Sequence, residues 1–413
     1  MDLLVHSRST LTSTATGAIA TDAFGRLRIS SPLTLFESSH RYADNGLWST
    51  QTANGGAAAF NANEGLVALT TTTTSGSKVY RETTKVFSYQ PGKSLLVLNT
   101  FVMEPAKAGL RQRVGYYGAA NGMYLELADS TLSFVERSAV TGSVTETRVP
   151  QASWNVDRLD GTGPSRRTLD ITKAQIMWAD IEWLGLGTVR LGFVIDGVFI
   201  HCHSFHHANY ITSTYITTAS LPLRYEIENT DTTTSASTLK QVCSTVISEG
   251  GYELRGLQQA VSIPVNIPRT LGTAGVFYPV VSIRLKTSPD RLDAIVILTA
   301  LSIMGISSGE FNWQVRASAT TTGGTWTSAG TNSAIEYNLT GTTTTGGRIL
   351  ASGFFNTSNQ SSSTVDILKE ALFKFQMERD FFTSTPYELS LVVASSGSSD
   401  TLVASLDWEE ISR

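Results

Sequence analysis

The sequence predicts an all-β protein: two β-sandwich or jelly-roll domains preceded by an extended N-terminal arm. Three observations carry this. The 413 residues are 41% hydrophobic but only 16% charged, against roughly 25% charged in ordinary soluble domains. Ser, Thr and Gly fill the difference, which suits strands and turns and disfavours solvent-exposed helices rich in Glu and Lys. Short runs of branched and aromatic residues recur along nearly the whole chain, separated by turn residues. The stretch 174–228 reads as a β-meander in one piece, with strand-like runs at 176–183, 188–195 and 198–205. Between the last two, Asp196-Gly197 supplies the dipeptide of a tight hairpin, whose two central residues must both reach positive φ.

In chain order, residues 1–32 are polar and low in complexity, with no apolar run that could bury a core, so they read as an extended arm, with a frayed terminus as the alternative; Phe24, Arg26 and Arg28 are the arm's candidate assembly residues. From Leu33 short strands follow at 33–42, 65–74, 79–87, 94–103, 111–118, 123–129, 131–138 and 144–150, with turns such as Asn45-Gly46, Asp129-Ser130 and Gly142-Ser143. Regular spacing of this kind predicts two antiparallel sheets over a common core, closed by the meander.

Adjacent glycines in the segment 248–256 end that register, and the domains are expected at 33–250 and 251–413. The second half restarts with strand-like runs from 261 to 411 and reads as another sandwich. One segment, 365–377, carries apolar residues at helical spacing (Ile367, Leu368, Ala371, Leu372, Phe375), although its end from Leu372 to Arg379 also alternates like a strand.

Several functional classes find no footing. The formal charge is −4 with no basic cluster, so nucleic acid is not an expected partner. The two cysteines, Cys202 and Cys243, make no disulfide framework and read as ordinary buried thiols. The first residues lack a basic region followed by an apolar run, and the longest apolar run, 292–306, is too short and interrupted to span a bilayer; a soluble chain without leader or membrane partner is expected. The glycines at 185, 187 and 192 sit between strands and open no helix, so they lack the means by which glycine loops bind phosphate. No Gly-x-Ser-x-Gly elbow is present. No cofactor is expected.

Two constellations could carry chemistry. Strand alternation puts Trp178, Asp180 and Glu182 on one face, as candidate carbohydrate contacts. This stretch resembles the catalytic strand of concanavalin-like glucanases, Glu-x-Asp-x-Glu, but Trp178 stands at the nucleophile position. Retaining hydrolysis needs two carboxylates about 5–5.5 Å apart, so no catalytic residue is assigned and the resemblance implies the jelly-roll fold more than the activity. The second is the cluster His201, His203, His206 and His207, whose His-x-His pair is a common seat for zinc. Its alternative is a set of histidines hydrogen-bonded at a sheet edge or subunit contact. The scattered tryptophans Trp48, Trp154, Trp313, Trp326 and Trp408 read as core material.

The segments 20–48, 181–209 and 221–227 together resemble virion structural proteins of tailed bacteriophages. The resemblance implies a non-enzymatic component of the virion, in the tail or baseplate region where fibres attach, with a capsid-surface role as an alternative. It also implies other virion proteins as partners and assembly in the bacterial host cytoplasm. A homo-oligomer is the default for such parts, taken as a trimer by fold analogy. A carbohydrate- or receptor-binding module, or a degenerate glycan hydrolase, are the competing expectations.

Overall fold

In a computed structural model of the chain, residues 32–90, 92–250, 256–357 and 375–412 are described. They are all-β, without an α-helix among them, and the chain divides into two compact units, Met1–Glu253 and Leu254–Arg413. The arm residues Phe24, Arg26 and Arg28 lie outside the described residues. So does most of the helix candidate 365–377; its described end is extended, with Met377 N donating to Val296 O and Gln376 bridging to Ile297.

The first unit is a sandwich of two antiparallel sheets. One runs Val198–Phe205, Val189–Ile195, Gln175–Ile181, Leu95–Val102, Ser237–Glu249, Leu66–Thr71, Ala57–Asn61, with Pro32–Ser39 also paired to Ser237–Glu249. The other runs Thr145–Pro150, Thr131–Ser138, Gly122–Ala128, Leu110–Tyr117, Leu223–Asn229, Lys78–Thr83, Trp48–Ala53. Alternate residues of both sheets meet in one core, where Phe134 of the second lies 6.0 Å from Phe193 of the first. The core also holds polar braces. Tyr225 Oη lies 2.9 Å from Ser244 Oγ across the sandwich, and the buried Arg81 donates to Gln241 Oε1 at 2.8 Å and to Asp44 Oδ2 at 2.6 Å. Buried polar groups paired in this way fix the register of the sheets that carry them.

The meander folds as its turn residues dictate. Asp196 and Gly197 both take positive φ, 52° and 74°, and join Val189–Ile195 to Val198–Phe205. The preceding strand stops at Ile181, two residues short of the apolar run, because Gly187 N turns back to donate to Trp183 O.

The second unit holds a six-stranded sheet, ordered Thr327–Ser328, Ile335–Asn338, Tyr278–Leu285, Glu388–Ser395, Gly309–Thr322, Thr343–Thr357. A second, four-stranded sheet sets Leu257–Ser262, Arg269–Thr270 and Ile295–Gly305 on Thr401–Ser412. The strand Gly309–Thr322 shows the period of two plainly: Phe311, Trp313, Val315 and Ala317 enter the core while Asn312, Gln314 and Arg316 face away from it.

Candidate functional site

The carboxylates that could have carried hydrolysis are committed to the fold. Met177, Ala179 and Ile181 enter the sandwich core, so Trp178 and Asp180 face the other side of their sheet. All three candidate sugar contacts, Trp178, Asp180 and Glu182, are nonetheless 0% exposed. Asp180 stands directly opposite Arg190, which donates from Nε at 3.0 Å and from Nη2, both to Asp180 Oδ2. Trp178 stands opposite Gly192, where a Cβ would come within 2.8 Å of the indole. The expectation that these side chains line a sugar-accessible face is therefore corrected: Trp178 and Asp180 share a face, but a closed one, and Glu182 lies buried beyond the strand's end.

The histidine cluster is dispersed by one residue. Leu191 pairs with His203 and Gly192 with His201, so Cys202 is the extra residue of a β-bulge. A bulge reverses the alternation beyond it. His201 lies 5.9 Å from Trp178 on the outer side, whereas His203 enters the core beside Phe134, ring centroids 6.5 Å apart, and Phe205, at 4.6 Å. His201 Nε2 lies 2.9 Å from Ser204 Oγ, and His203 Nδ1 accepts from Asn155 N. His206 meets Thr188 Oγ1. His207 stacks on Tyr215 at 3.9 Å, with its ring nitrogens against Gly187 O and Glu136 Oε2. Burial lowers both His201 and His203 to about 4. Among the described residues no three His, Cys, Asp or Glu side chains converge as a metal site would require. The candidate zinc seat at His201, His203, His206 and His207 is corrected to four separate structural contacts. Cys202 is buried, its thiol pushed well up by desolvation, and Cys243 is half-buried; both are free.

What sequence reasoning missed lies on the opposite sheet. On the face of the seven-stranded sheet turned away from the core, arginines, glutamates and tyrosines interlock across six strands. Arg113 and Arg148 each donate to Glu126 at 2.7 Å. Glu146 accepts from Tyr124 Oη at 2.7 Å and from Arg137 at 2.9 and 2.7 Å. Arg224 pairs with Glu226 at 2.5 Å and with Glu82 at 3.2 Å. Tyr117 and Tyr124 stack at 4.4 Å among Arg113, Arg137 and Arg224. Burial opposes ionisation of Glu146, but the hydrogen bonds from Tyr124 and Arg137 prevail and hold its carboxyl down at about 2. The signal was present as charges at a period of two in RQR, TETR and LRYEIE, with Arg113 standing opposite Glu226 and Glu126 on the strands that turn out to be its neighbours. Because its charges are paired internally, the arrangement braces a sheet.

No family model matches the chain, and no curated protein matches it. Similar solved structures include a Shewanella oneidensis MR-1 protein of unknown function, at 12% identity and TM-score 0.35, covering 60% of this chain and 95% of that one. The mixed linkage glucan GH16 of Bacteroides ovatus, with its product bound, is 10% identical at TM-score 0.34 over 51% of this chain and 99% of that one. The CBM2 module of the evolved Dit of Lactobacillus casei BL23 phage J-1 is 9% identical at TM-score 0.34, covering 54% of this chain and 99% of that one. At these identities and scores, none of them assigns a residue role, ligand or partner to this chain.

Proposed function

We propose that this chain is a non-catalytic structural component of a tailed-phage virion, placed in the tail or baseplate region and serving assembly or fibre attachment. The observation that carries the non-catalytic half is the buried pairing of Asp180 with Arg190. It removes from solvent one of the two carboxylates that this strand retains. The virion half rests on the resemblance of residues 20–48, 181–209 and 221–227, whose described residues lie mostly in strands and turns. A building block must hold its shape under load without turnover, and the arginine–glutamate lattice on one sheet and the polar bolts through the sandwich core suit that demand.

In this proposal the partners are other virion proteins and copies of the same chain, with a trimer as the expected state. Mass spectrometry of density-gradient-purified particles tests it: the chain should band with the particles at a fixed ratio to the major structural proteins. Recovery only from the particle-free fraction would reject it. Recognition of a carbohydrate or receptor is the second reading, favoured by a groove on the second unit.

A further inference from the structure

We infer that the second unit carries a saccharide-binding groove on the outer face of its six-stranded sheet, with Phe354 as the stacking platform and Asn312 as its principal hydrogen-bonding partner. The inference stands apart from the virion proposal, since it concerns a ligand and not a place in a particle.

The site follows from alternation along three strands. Phe311 and Phe355 turn inward and stack in the core at 4.8 Å. Their neighbours Asn312 and Phe354 must then face outward, and they stand directly opposite each other, with Ala394 completing the row on the next strand. Phe354 is 80% exposed. Keeping a large ring in water forgoes roughly 1.5–3 kcal/mol of burial, so the ring is a surface waiting for an apolar partner. It borders a groove of about 560 Å³ that also takes in Phe277, Glu310, Asn356 and Ser396, within the range of roughly 300–1,000 Å³ typical of small-ligand sites.

The polar lining selects the ligand. Amides of Asn312 and Asn356 each offer a donor and an acceptor, as a sugar hydroxyl demands in return. The Asn312 Oδ1 atom is covered and has no hydrogen-bond partner among the described residues, so a sugar hydroxyl would gain this acceptor by drawing the amide outward into the groove. Formal charge is sparse: Glu310 supplies one exposed carboxylate, and the nearby Arg316 is already held 4.9 Å over the Phe277 ring and bonded to Gln314 at 2.9 Å. Among the described residues that line the groove, an anionic ligand finds no cation. An aromatic plane flanked by amides, with little net charge, matches a neutral sugar ring, which presents C–H groups on one face and hydroxyls around its rim.

The test is saturation-transfer NMR and calorimetry on the full chain with cellotetraose, laminaritetraose, maltotetraose and chitotetraose. At least one should bind. Phe354→Ala should weaken that binding by tenfold or more, Phe354→Leu nearly as much, and Asn312→Ala by several-fold. Phe354 is so exposed that its variants should melt with the unaltered chain, which separates lost binding from lost folding. No binding by any of the four sugars, or binding indifferent to Phe354→Ala, would overturn the inference. A change in oligomeric mass with Phe354→Ala, without sugar binding, would also overturn it and mark the face as a contact between copies.

Discussion

Arg190 grips Asp180 from the neighbouring strand with two nitrogens on one carboxylate oxygen, and both residues are buried. The pair sits where a glucanase-like strand would present its acids to substrate. Its consequence is electrostatic. A carboxylate and a guanidinium out of water stabilise each other only while both are present. Conversion of this strand to catalysis would therefore need the fold to be rebuilt, beyond the gain of a nucleophile at Trp178.

The glycine under Trp178 is as constrained as the pair beside it. A Cβ on Gly192 would lie 1.9 Å from Ile200 O and 2.8 Å from the indole, whereas one on Gly197 would meet nothing within 4 Å. Gly192→Ala should cost about 2–3 kcal/mol or more through overpacking. Gly197→Ala should cost only about 1 kcal/mol, from its positive φ. Urea unfolding of the two variants checks the order; equal losses would refute it.

Because the Cys202 bulge sends His201 and His203 to opposite faces, zinc should gain no coordination shell. Excess Zn²⁺ should move the thermal midpoint by less than about 1 °C, and a chelator should leave it alone. Stoichiometric zinc binding abolished by His201→Ala would contradict this placement.

Acid should weaken the first unit over two successive ranges of pH. His40, His201 and His203 are lowered to about 4 from 6.5, first of all by burial. Between these values the unfolded chain binds protons that the folded chain does not, so stability falls as pH falls from 6.5 to 4. Glu146, at about 2 against an ordinary 4.5, adds a loss as pH falls from 4.5 towards 2. Thermal midpoints measured across that range should drop throughout, and His203→Phe should flatten the upper part. A midpoint that rises on acidification would reverse the sign assigned to these groups.

The parts of the fold legible in the sequence were those set by neighbours along the chain. Asp196-Gly197 announced its hairpin because few other residues reach φ of 52° and 74° in succession. The strand-like runs between residues 261 and 411 announced a second all-β unit. The site was less legible because it depends on pairing between distant segments. Nothing near Asp180 says that Arg190 will stand across from it in preference to a substrate, and a bulge at Cys202 leaves no mark in residue types. The arginine–glutamate lattice was visible strand by strand, yet it becomes a lattice only when Leu223–Asn229 lies beside Leu110–Tyr117, over a hundred residues away. Phe354 and Phe355 are identical in sequence, and register alone sends one to solvent and the other to the core.

The most direct measurement is a double-mutant cycle on Asp180 and Arg190, read by unfolding of the full chain and by glycan hydrolysis in parallel. If the pair serves the fold, Asp180→Ala and Arg190→Ala should each cost about 3–5 kcal/mol. The double variant should cost clearly less than their sum, and no variant should change a hydrolytic rate. Near-native stability of Asp180→Ala together with loss of a measurable glycan turnover would contradict it, and would make this strand a catalytic one after all.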